Sequence, residues 1–384
     1  MKISDTFASL LAGQDLSLKV SCWIFRNLFL SSLRATQNNL TQSVILSATK
    51  DLNSEILHSV QNDKKRQIAT AVKKNDELAM TNAEAKNLLI LLARKGEAPD
   101  EIAGCLAALK SLENPRKTGI LHLMDTCGTG GDGSHSANIS TLAALVIAGA
   151  GGKIAKHGNR SLSSKCGSSD LLEALGVNLN AGENKMVQSI RESGIGYFHA
   201  PFFHPVFSRM QPLRKSLGIR TIFNFLGPLA NPLELSYQLI GVSKKEMVKT
   251  FAEVLRQKKI HHALVCHSEN GLDELTTTAA AFCAEVQKGR IQYFTLEPGK
   301  LGFKKASVSD LRGGNISRNK QLALKLLSGK TKDALRDTVI LNAGAGLWIS
   351  GISKNLKDGI TLARKSLDNG NAYSALQNLV KISC

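Results

Sequence analysis

The sequence predicts an α/β protein, with a small N-terminal helical domain and a larger α/β domain built on a mostly parallel central sheet. Three observations predict this. Before residue 121 apolar residues recur at three- and four-residue spacing, the period of a half-buried helix. From about residue 121 short apolar runs alternate with helical patterns, as in a parallel sheet with crossover helices. Those runs also end in glycine-rich or polar loops, the positions at which an open α/β sheet binds its ligand. With 384 residues, of which 43% are hydrophobic and 21% charged, the chain has the length and balance of a folded globular protein.

The elements follow in order. Glu84 to Arg94 and Asp100 to Leu112 read as amphipathic helices separated by the breakers Gly96 and Pro99. Residues from Arg34 to Arg66 do not fit that pattern, being rich in Asn, Gln, Ser and Thr and ending in Lys64, Lys65 and Arg66. They read as an inserted polar segment, flexible or weakly helical. Leu121 to Asp125 reads as a strand, Asn138 to Ala150 as an apolar helix, Lys153 to Lys156 as a second strand and Ser168 to Leu175 as a short helix. Tyr237 to Val242 and Ala263 to His267 read as later strands, and Ala334 to Trp348 and Leu356 to Leu367 as closing helices. The domains so defined are residues 1 to 115 and 116 to 384.

Composition narrows the function. The formal net charge is +18, which favours anionic partners: phosphorylated metabolites, nucleic acid or acidic surfaces. Residues 1 to 80 hold 10 Lys and Arg against 7 Asp and Glu, so +15 of the +18 lies beyond residue 80 and is no basic tail. Seven scattered cysteines without a C-x-x-C pair argue for reduced thiols and against a zinc site. No apolar run has the length of a membrane helix and no secretory signal is evident, so a cytoplasmic protein is expected.

Asp125-Thr-Cys-Gly-Thr-Gly-Gly-Asp-Gly-Ser-His-Ser-Ala-Asn-Ile-Ser-Thr141 packs four glycines between a strand and a helix. Glycines let successive N–H groups approach an anion, and the following helix adds its dipole, so a phosphate cradle is the functional reading. A glycine turn needed only for close packing is the bland one. Gly128, Gly130 and Gly133 satisfy the dinucleotide pattern, but the next strand runs into Lys156, His157, Gly158, Asn159 and Arg160, where a nicotinamide site would place an acid. The P-loop pattern fails as well, since no Lys-Ser or Lys-Thr follows the last glycine.

The second loop, Lys156 to Asp170, holds three cations, five hydroxyls and two glycines. Fixed charge plus short donors suits a polyanion, and the position directly after a strand favours that reading over a polar surface loop. Asp273 and Glu274 follow the Ala263 strand. Adjacent carboxylates at a strand end suit a hard cation such as magnesium, although most such dipeptides are merely solvated. The segment His204 to Pro232 carries four of the eight prolines, Pro205, Pro212, Pro228 and Pro232, implying short bent helices and fixed turns. Arg214 within it can fork to a carboxylate or be a solvated helix charge, and His204 before Pro205 can be a helix-start residue. The histidines outside the two loops read as structural or surface residues.

Taken together, Asp125-Thr-Cys-Gly-Thr-Gly-Gly-Asp132, Asn138-Ile-Ser-Thr141, Lys156-His-Gly-Asn-Arg-Ser161, Gly218-Ile-Arg-Thr-Ile-Phe-Asn224 with Leu226-Gly-Pro228, and Gly271-Leu-Asp-Glu274 closely resemble the motifs of the anthranilate phosphoribosyltransferases, enzymes of tryptophan biosynthesis. The resemblance covers about residues 80 to 384 and the short stretch Leu10 to Ser17. It departs from the family at Ser136 and Ala137, where a Thr or Ser and then an aromatic are usual. It implies a nucleoside phosphorylase/phosphoribosyltransferase-like fold, residues 204 to 232 returning to the helical side, and a homodimer. It further implies that phosphoribosyl pyrophosphate is held by Gly128, Gly131, Asp132, Ser136, Asn138, Ile139, Ser140 and Thr141 of the first loop, and by Lys156, His157, Gly158, Asn159, Arg160, Ser161, Leu162, Ser163, Ser164 and Ser168 of the second. Ser140, Asp273 and Glu274 are implied to position two Mg2+ ions per subunit, and Gly128, Asn159 and Arg214 to line the anthranilate path.

The implied chemistry is displacement of pyrophosphate from the anomeric carbon by an aromatic amine, giving N-(5-phosphoribosyl)anthranilate. Such an amine is a neutral nucleophile at pH 7, so no catalytic acid or base is expected; electrostatics and metal would stabilise the leaving group. Two rivals remain. A pyrimidine nucleoside phosphorylase would share the fold, but the Lys-His-Gly-Asn-Arg loop disfavours it. A non-catalytic nucleic-acid-binding relative would suit the charge, but has no need of the carboxylate pair.

Overall fold

The computed structural model describes residues 3–47, 80–113, 118–161 and 165–384. In chain order the elements are α1 (Ile3–Leu11), α2 (Leu18–Ser47), α3 (Asn82–Lys95), α4 (Pro99–Glu113), β1 (Leu123–Gly128), α5 (Ile139–Gly149), β2 (Lys153–Gly158), α6 (Ser168–Ala174), α7 (Gly182–Ser193) and β3 (Ile195–His199). There follow α8 (Ala200–Phe203), α9 (Pro205–Arg209), α10 (Gln211–Leu217), α11 (Phe223–Leu229), β4 (Tyr237–Gly241), α12 (Lys245–Gln257), β5 (His262–Ser268), β6 (Ala281–Gln287) and β7 (Arg290–Leu296). The chain closes with α13 (Ile316–Leu327), α14 (Ala334–Ile349), α15 (Leu356–Asp368) and α16 (Asn371–Ser383). These residues form two compact units, Met1–Asn114 with His204–Asn224, and Pro115–Phe203 with Phe225–Cys384. Of the segment expected to be inserted, Arg34 to Ser47 continues the backbone of α2, and 48–66 lies outside the described residues.

The first unit is helical. Thr81 starts α3 through a capping box: its hydroxyl accepts the Glu84 N–H at 3.2 Å and the Glu84 carboxylate accepts the Thr81 N–H at 2.8 Å. Gly96 ends α3 at φ 88°, and Pro99, whose missing N–H costs nothing in a first helical turn, opens α4. Glu101 is fully buried yet satisfied, accepting the Leu16 N–H at 3.0 Å, the Ala98 N–H at 2.8 Å and the Lys95 ammonium at 3.0 Å. The Pro-rich segment His204–Asn224 joins this unit. His204 is buried with its Nδ1 2.6 Å from Glu113, and Phe29, Phe207 and Phe223 pack as tilted and edge-on rings. Pro228 and Pro232, by contrast, fall in the second unit.

The second unit is built on a seven-stranded sheet in the order β3-β2-β1-β4-β5-β6-β7. The first five strands run parallel and the last two are antiparallel. The antiparallel edge and β3 are absent from the sequence reading. β6 and β7 form a hairpin whose two-residue turn, Lys288-Gly289, takes φ 49° and 75°, the left-handed conformation a tight hairpin needs. Helix α5 is buried almost all round, and α14, α15 and α16 pack around it, while α12 lies on β5 and β6. Side-chain caps on Arg318, Arg336 and Asp358 amides, supplied by Asn315, Asp333 and Asn355, start three of the closing helices. Among the described residues no helix is long and apolar enough to cross a membrane.

Candidate active site

The strand order reverses between β1 and β4, so the crevice at their C-terminal ends is where such a sheet accommodates a ligand. Gly128, at the end of β1, pairs with Gly241 at the end of β4. A Cβ on Gly128 would strike the Asp273 carboxylate, and one on Gly241 the Asp273 carbonyl, so both glycines make room for the acidic loop that follows β5. Direct bonds then tie that loop to the glycine loop. The Gly130 N–H donates to Asp273 Oδ2 at 2.6 Å, the Ser140 N–H to Glu274 Oε1 at 3.1 Å, and the Asp273 N–H to Asp132 Oδ2 at 3.4 Å. Gly130, Gly131 and Gly133 sit at φ 69°, 72° and 73°, a left-handed run that side chains with a Cβ would strain.

The second loop is joined to the first. Asn138 Nδ2 donates to the Cys166 carbonyl at 3.1 Å, Thr141 Oγ1 to Ser168 Oγ at 3.0 Å, and Asn319 Nδ2 to Asn138 Oδ1 at 3.1 Å. Lys156 is buried at 1% exposure, with its ammonium 2.6 Å from the Thr126 carbonyl. His157 is also buried, its ring Nδ1 3.2 Å from the Gly227 carbonyl. Beneath both loops lies Asp125, whose carboxylate accepts the Thr126 N–H at 2.8 Å, Asn231 Nδ2 at 2.9 Å and, more loosely, the His157 N–H at 3.4 Å. Burial pushes its pKa up to about 6, with Lys156 and these donors pulling the other way.

Several residues named from the sequence have their side chains committed within the protein. Arg160 is half exposed and forms ion pairs with Asp170 at 3.0 Å and Glu173 at 2.7 Å. Asp132 accepts both the Ser134 N–H at 3.0 Å and the Ser134 hydroxyl at 2.8 Å, and the Ser136 N–H donates to Ser134 Oγ at 3.2 Å. Ile139 is a core side chain at 1% exposure, leaving only its main chain for a ligand. The Ser161 N–H donates to Asp170 at 3.2 Å, and Asn159 offers its side-chain oxygen to the Arg160 N–H at 2.7 Å. Gly158, Asn159 and Ser161 follow or end β2, while Leu162, Ser163 and Ser164 lie outside the described residues. Arg214 belongs to the first unit, where its guanidinium carbon lies 5.5 Å from the Phe223 ring centroid and burial lowers its pKa. The sequence reading missed Asp170, Asn231, Asn319 and the buried role of Asp125. Asp125 and Asp170 were visible as the terminal acids of the two quoted loops; Asn231 and Asn319 are distant in sequence and carry no local signal.

The acid pair fits a hard divalent cation. Asp273 and Glu274 are buried at 7% and 9% exposure. Burial, then repulsion from Glu274 and Asp132, pushes the Asp273 carboxyl well above the usual range. Burial also raises Glu274, against the pull of Lys156 and Ser140. Like charges held together in a dry site are relieved by a dication, and the donors are all oxygen, which suits magnesium. Among the described residues no three His, Cys, Asp or Glu side chains are placed to hold a metal by themselves. A bound ion would therefore complete its shell with hydroxyl, water or ligand oxygens, as magnesium at phosphate sites does.

Residues 121–373 match the model of the glycosyl transferase family, a/b domain. The anthranilate phosphoribosyltransferase of Desulfosudis oleivorans is 41% identical over 304 residues, spanning 79% of this chain and 90% of that one. The crystal structure of the anthranilate phosphoribosyltransferase of Thermus thermophilus superposes with a TM-score of 0.81 at 34% identity over 99% of both chains. The Saccharomyces cerevisiae enzyme, solved in complex with PRPP and Mg, shares the fold at a TM-score of 0.79 and 24% identity, covering 99% of this chain and 97% of that one. On this matching, the chain belongs to the anthranilate phosphoribosyltransferase family.

Proposed function

We propose that the protein transfers the phosphoribosyl group of phosphoribosyl pyrophosphate to anthranilate, giving N-(5-phosphoribosyl)anthranilate and pyrophosphate in tryptophan biosynthesis. The reading includes a cytoplasmic homodimer whose helical and α/β units are its two domains, with two Mg2+ ions per subunit near Ser140, Asp273 and Glu274. The single observation that carries it is the acidic loop bonded onto the glycine loop at the sheet's switch point, Asp273 to Gly130 and Glu274 to Ser140. That juxtaposition unites the cation and polyanion chemistry in one crevice.

In the reaction the C1–O bond to pyrophosphate breaks, the C1–N bond forms, and the amine proton leaves with the departing diphosphate or to water. Magnesium, when bound, neutralises the diphosphate and makes it a better leaving group. The chain's own part is placement. The left-handed glycines Gly131 and Gly133 offer N–H groups to phosphate oxygens, and the second loop adds hydroxyls of Ser161 and Ser168. Lys156, held under both loops beside Asp125 and Glu274, supplies fixed positive potential without being spent on solvent. Gly128 and Asn159 line the path of anthranilate. No side chain is needed as a base, since the aniline nitrogen attacks as the neutral amine.

The test is purified protein with anthranilate, phosphoribosyl pyrophosphate and Mg2+, following loss of anthranilate fluorescence. The expected result is metal-dependent loss that a chelator stops. No loss with the two substrates, or phosphate-dependent cleavage of a pyrimidine nucleoside in a parallel arm, overturns the reading.

A further inference from the structure

One buried polar cluster takes no part in the chemistry above. Ser169 Oγ lies 2.6 Å from Tyr197 Oη and 2.9 Å from His199 Nδ1. Ser169 is fully buried, Tyr197 is 1% exposed, and His199 is half-buried at the C-terminal end of β3. The sequence reading left His199 among structural or surface histidines, and nothing in the glycine or acidic motifs points to the trio.

Its placement ties it to the second loop. β2 and β3 are neighbours in which Lys156 pairs with Tyr197 and Gly158 with His199. A Cβ on Gly158 would lie 2.7 Å from Tyr197 Oη, so the phenol packs closely against the end of β2 at Gly158. From the other side the Ser169 N–H donates to the Asn159 carbonyl at 3.3 Å, and the adjacent Ser168 hydroxyl takes the Thr141 hydrogen bond from the first loop. The cluster thus touches the end of β2 and braces the start of α6, where both loops meet.

Proton counting makes the cluster sensitive to the state of His199. With a neutral imidazole accepting at Nδ1, Tyr197 donates to Ser169 and Ser169 donates to His199, so both hydroxyl protons have an acceptor. An imidazolium must instead donate from Nδ1 to Ser169. Then either the serine proton or the phenol proton is left without an acceptor among the described residues, in a buried site where that is costly. Burial chiefly opposes protonation of His199; of the charged groups facing it, Arg160 opposes it too and Glu173 and Asp170 favour it, and the balance holds its pKa below the usual histidine value.

We propose that Ser169, Tyr197 and His199 are positioning residues that hold the Gly158–Asn159 end of β2 in its ligand-binding shape, and that protonation of His199 loosens that strand end. The inference rests on the phosphoribosyl pyrophosphate reading of the second loop.

The experiment is calorimetric binding of phosphoribosyl pyrophosphate with Mg2+ to the whole protein and to Ser169→Ala, Tyr197→Phe and His199→Gln, from about pH 8 to about pH 5.5, alongside KM for each substrate and thermal melting. Ser169→Ala and Tyr197→Phe are expected to weaken binding of phosphoribosyl pyrophosphate about tenfold at neutral pH, the size of one lost buried hydrogen bond, while KM for anthranilate moves far less. His199→Gln retains an acceptor for Ser169 and cannot titrate; it should lose less affinity than Ser169→Ala and show a flatter pH dependence than wild type. Ligand titration is common to all four proteins and cancels in the ratio. If Ser169→Ala and Tyr197→Phe bind as tightly as wild type at every pH, even while melting lower, the cluster is packing alone and the proposal is overturned. Wild-type binding with unaltered variants sinks only this proposal, whereas a wild type that binds no phosphoribosyl pyrophosphate sinks it together with the functional reading.

Discussion

The two ligand-type loops follow neighbouring strands but are held by opposite electrostatics. The glycine loop, Asp125 to Thr141, is clamped from β5 by Asp273 and Glu274, and both of these buried carboxylates, together with Asp125, have pKa values raised by burial. The second loop is clamped by Asp170, which accepts the Gly167 N–H at 2.8 Å and the Ser161 N–H at 3.2 Å and pairs with Arg160. Burial raises Asp170, but those two amides and Arg160 outweigh it and hold the carboxyl below its usual range; Glu173, bonded to Arg160, is lowered too. In one clamp two buried acids repel each other when ionised and gain from a cation; the other is neutralised from within the chain. A site assembled this way has a finished half and a half that its ligand finishes.

The largest effect should come from removing the charged half. Asp273→Asn with Glu274→Gln keeps acceptors for the Gly130 and Ser140 amides but deletes the negative charge that draws a dication. Turnover at saturating Mg2+ should fall by about 100-fold or more, the scale seen when electrostatic stabilisation of a leaving group is lost. Melting in chelator should be unchanged or higher than wild type, because two like charges have left a dry site. Full activity with unchanged magnesium dependence would mean that the two clamps do not differ in the way proposed.

A smaller effect follows in the other half. Asp170→Ala leaves the Gly167 and Ser161 amides without their acceptor and frees Arg160. Destabilisation of about 2 kcal/mol is expected from the orphaned amides. KM for phosphoribosyl pyrophosphate should rise about tenfold, with little change in the magnesium concentration needed for half activity. A lowered KM would instead mean that Arg160, once released, serves the ligand better than the ion pair does.

The difference between the halves also explains what could be read from the sequence. Leu123–Gly128, Ile139–Gly149 and Lys153–Gly158 stand within a few residues of their predicted ranges, because strand, glycine turn and apolar helix each have a local signature. The acid pair was legible for the same reason, as two adjacent carboxylates at a strand end. What holds them was not: that Gly241 must be bare to admit the Asp273 carbonyl is a fact of the end of β4 meeting the loop after β5, more than thirty residues further along the chain. β3 and the β6–β7 hairpin escaped because Ile195–His199 is short and half aromatic, and Arg290–Leu296 alternates polar and apolar residues on an exposed edge that resembles a loop in composition. The commitment of Arg160 to Asp170 and Glu173 is a third case, since a cation in a polar loop reads as a ligand group until acids ten and thirteen residues further on, in α6, are seen to reach it.

The smallest expected effect is the most specific to the comparison. A carboxyl whose folded pKa is depressed contributes stability above its ordinary value near 4, and that contribution is lost as pH falls through the folded value. Asp170 is such a group, so the melting difference between wild type and Asp170→Ala should be full at pH 7 and should narrow as pH falls from about 5 toward 3. The surface position of Arg160 screens the pair, so the pH-dependent part should be only about 2 °C for a protein of this size. Asp125 has the opposite sign: with its pKa raised to about 6, its ionisation opposes folding as pH rises through that value, and its cost is absent in acid. Wild-type melting measured in chelator should therefore carry an alkaline-side penalty from the first loop and an acid-side loss from the second. Asp170→Ala should remove only the acid-side loss. If the difference between the two proteins stays constant across that range, Asp170 is not held by charge, and the second loop is no more finished than the first.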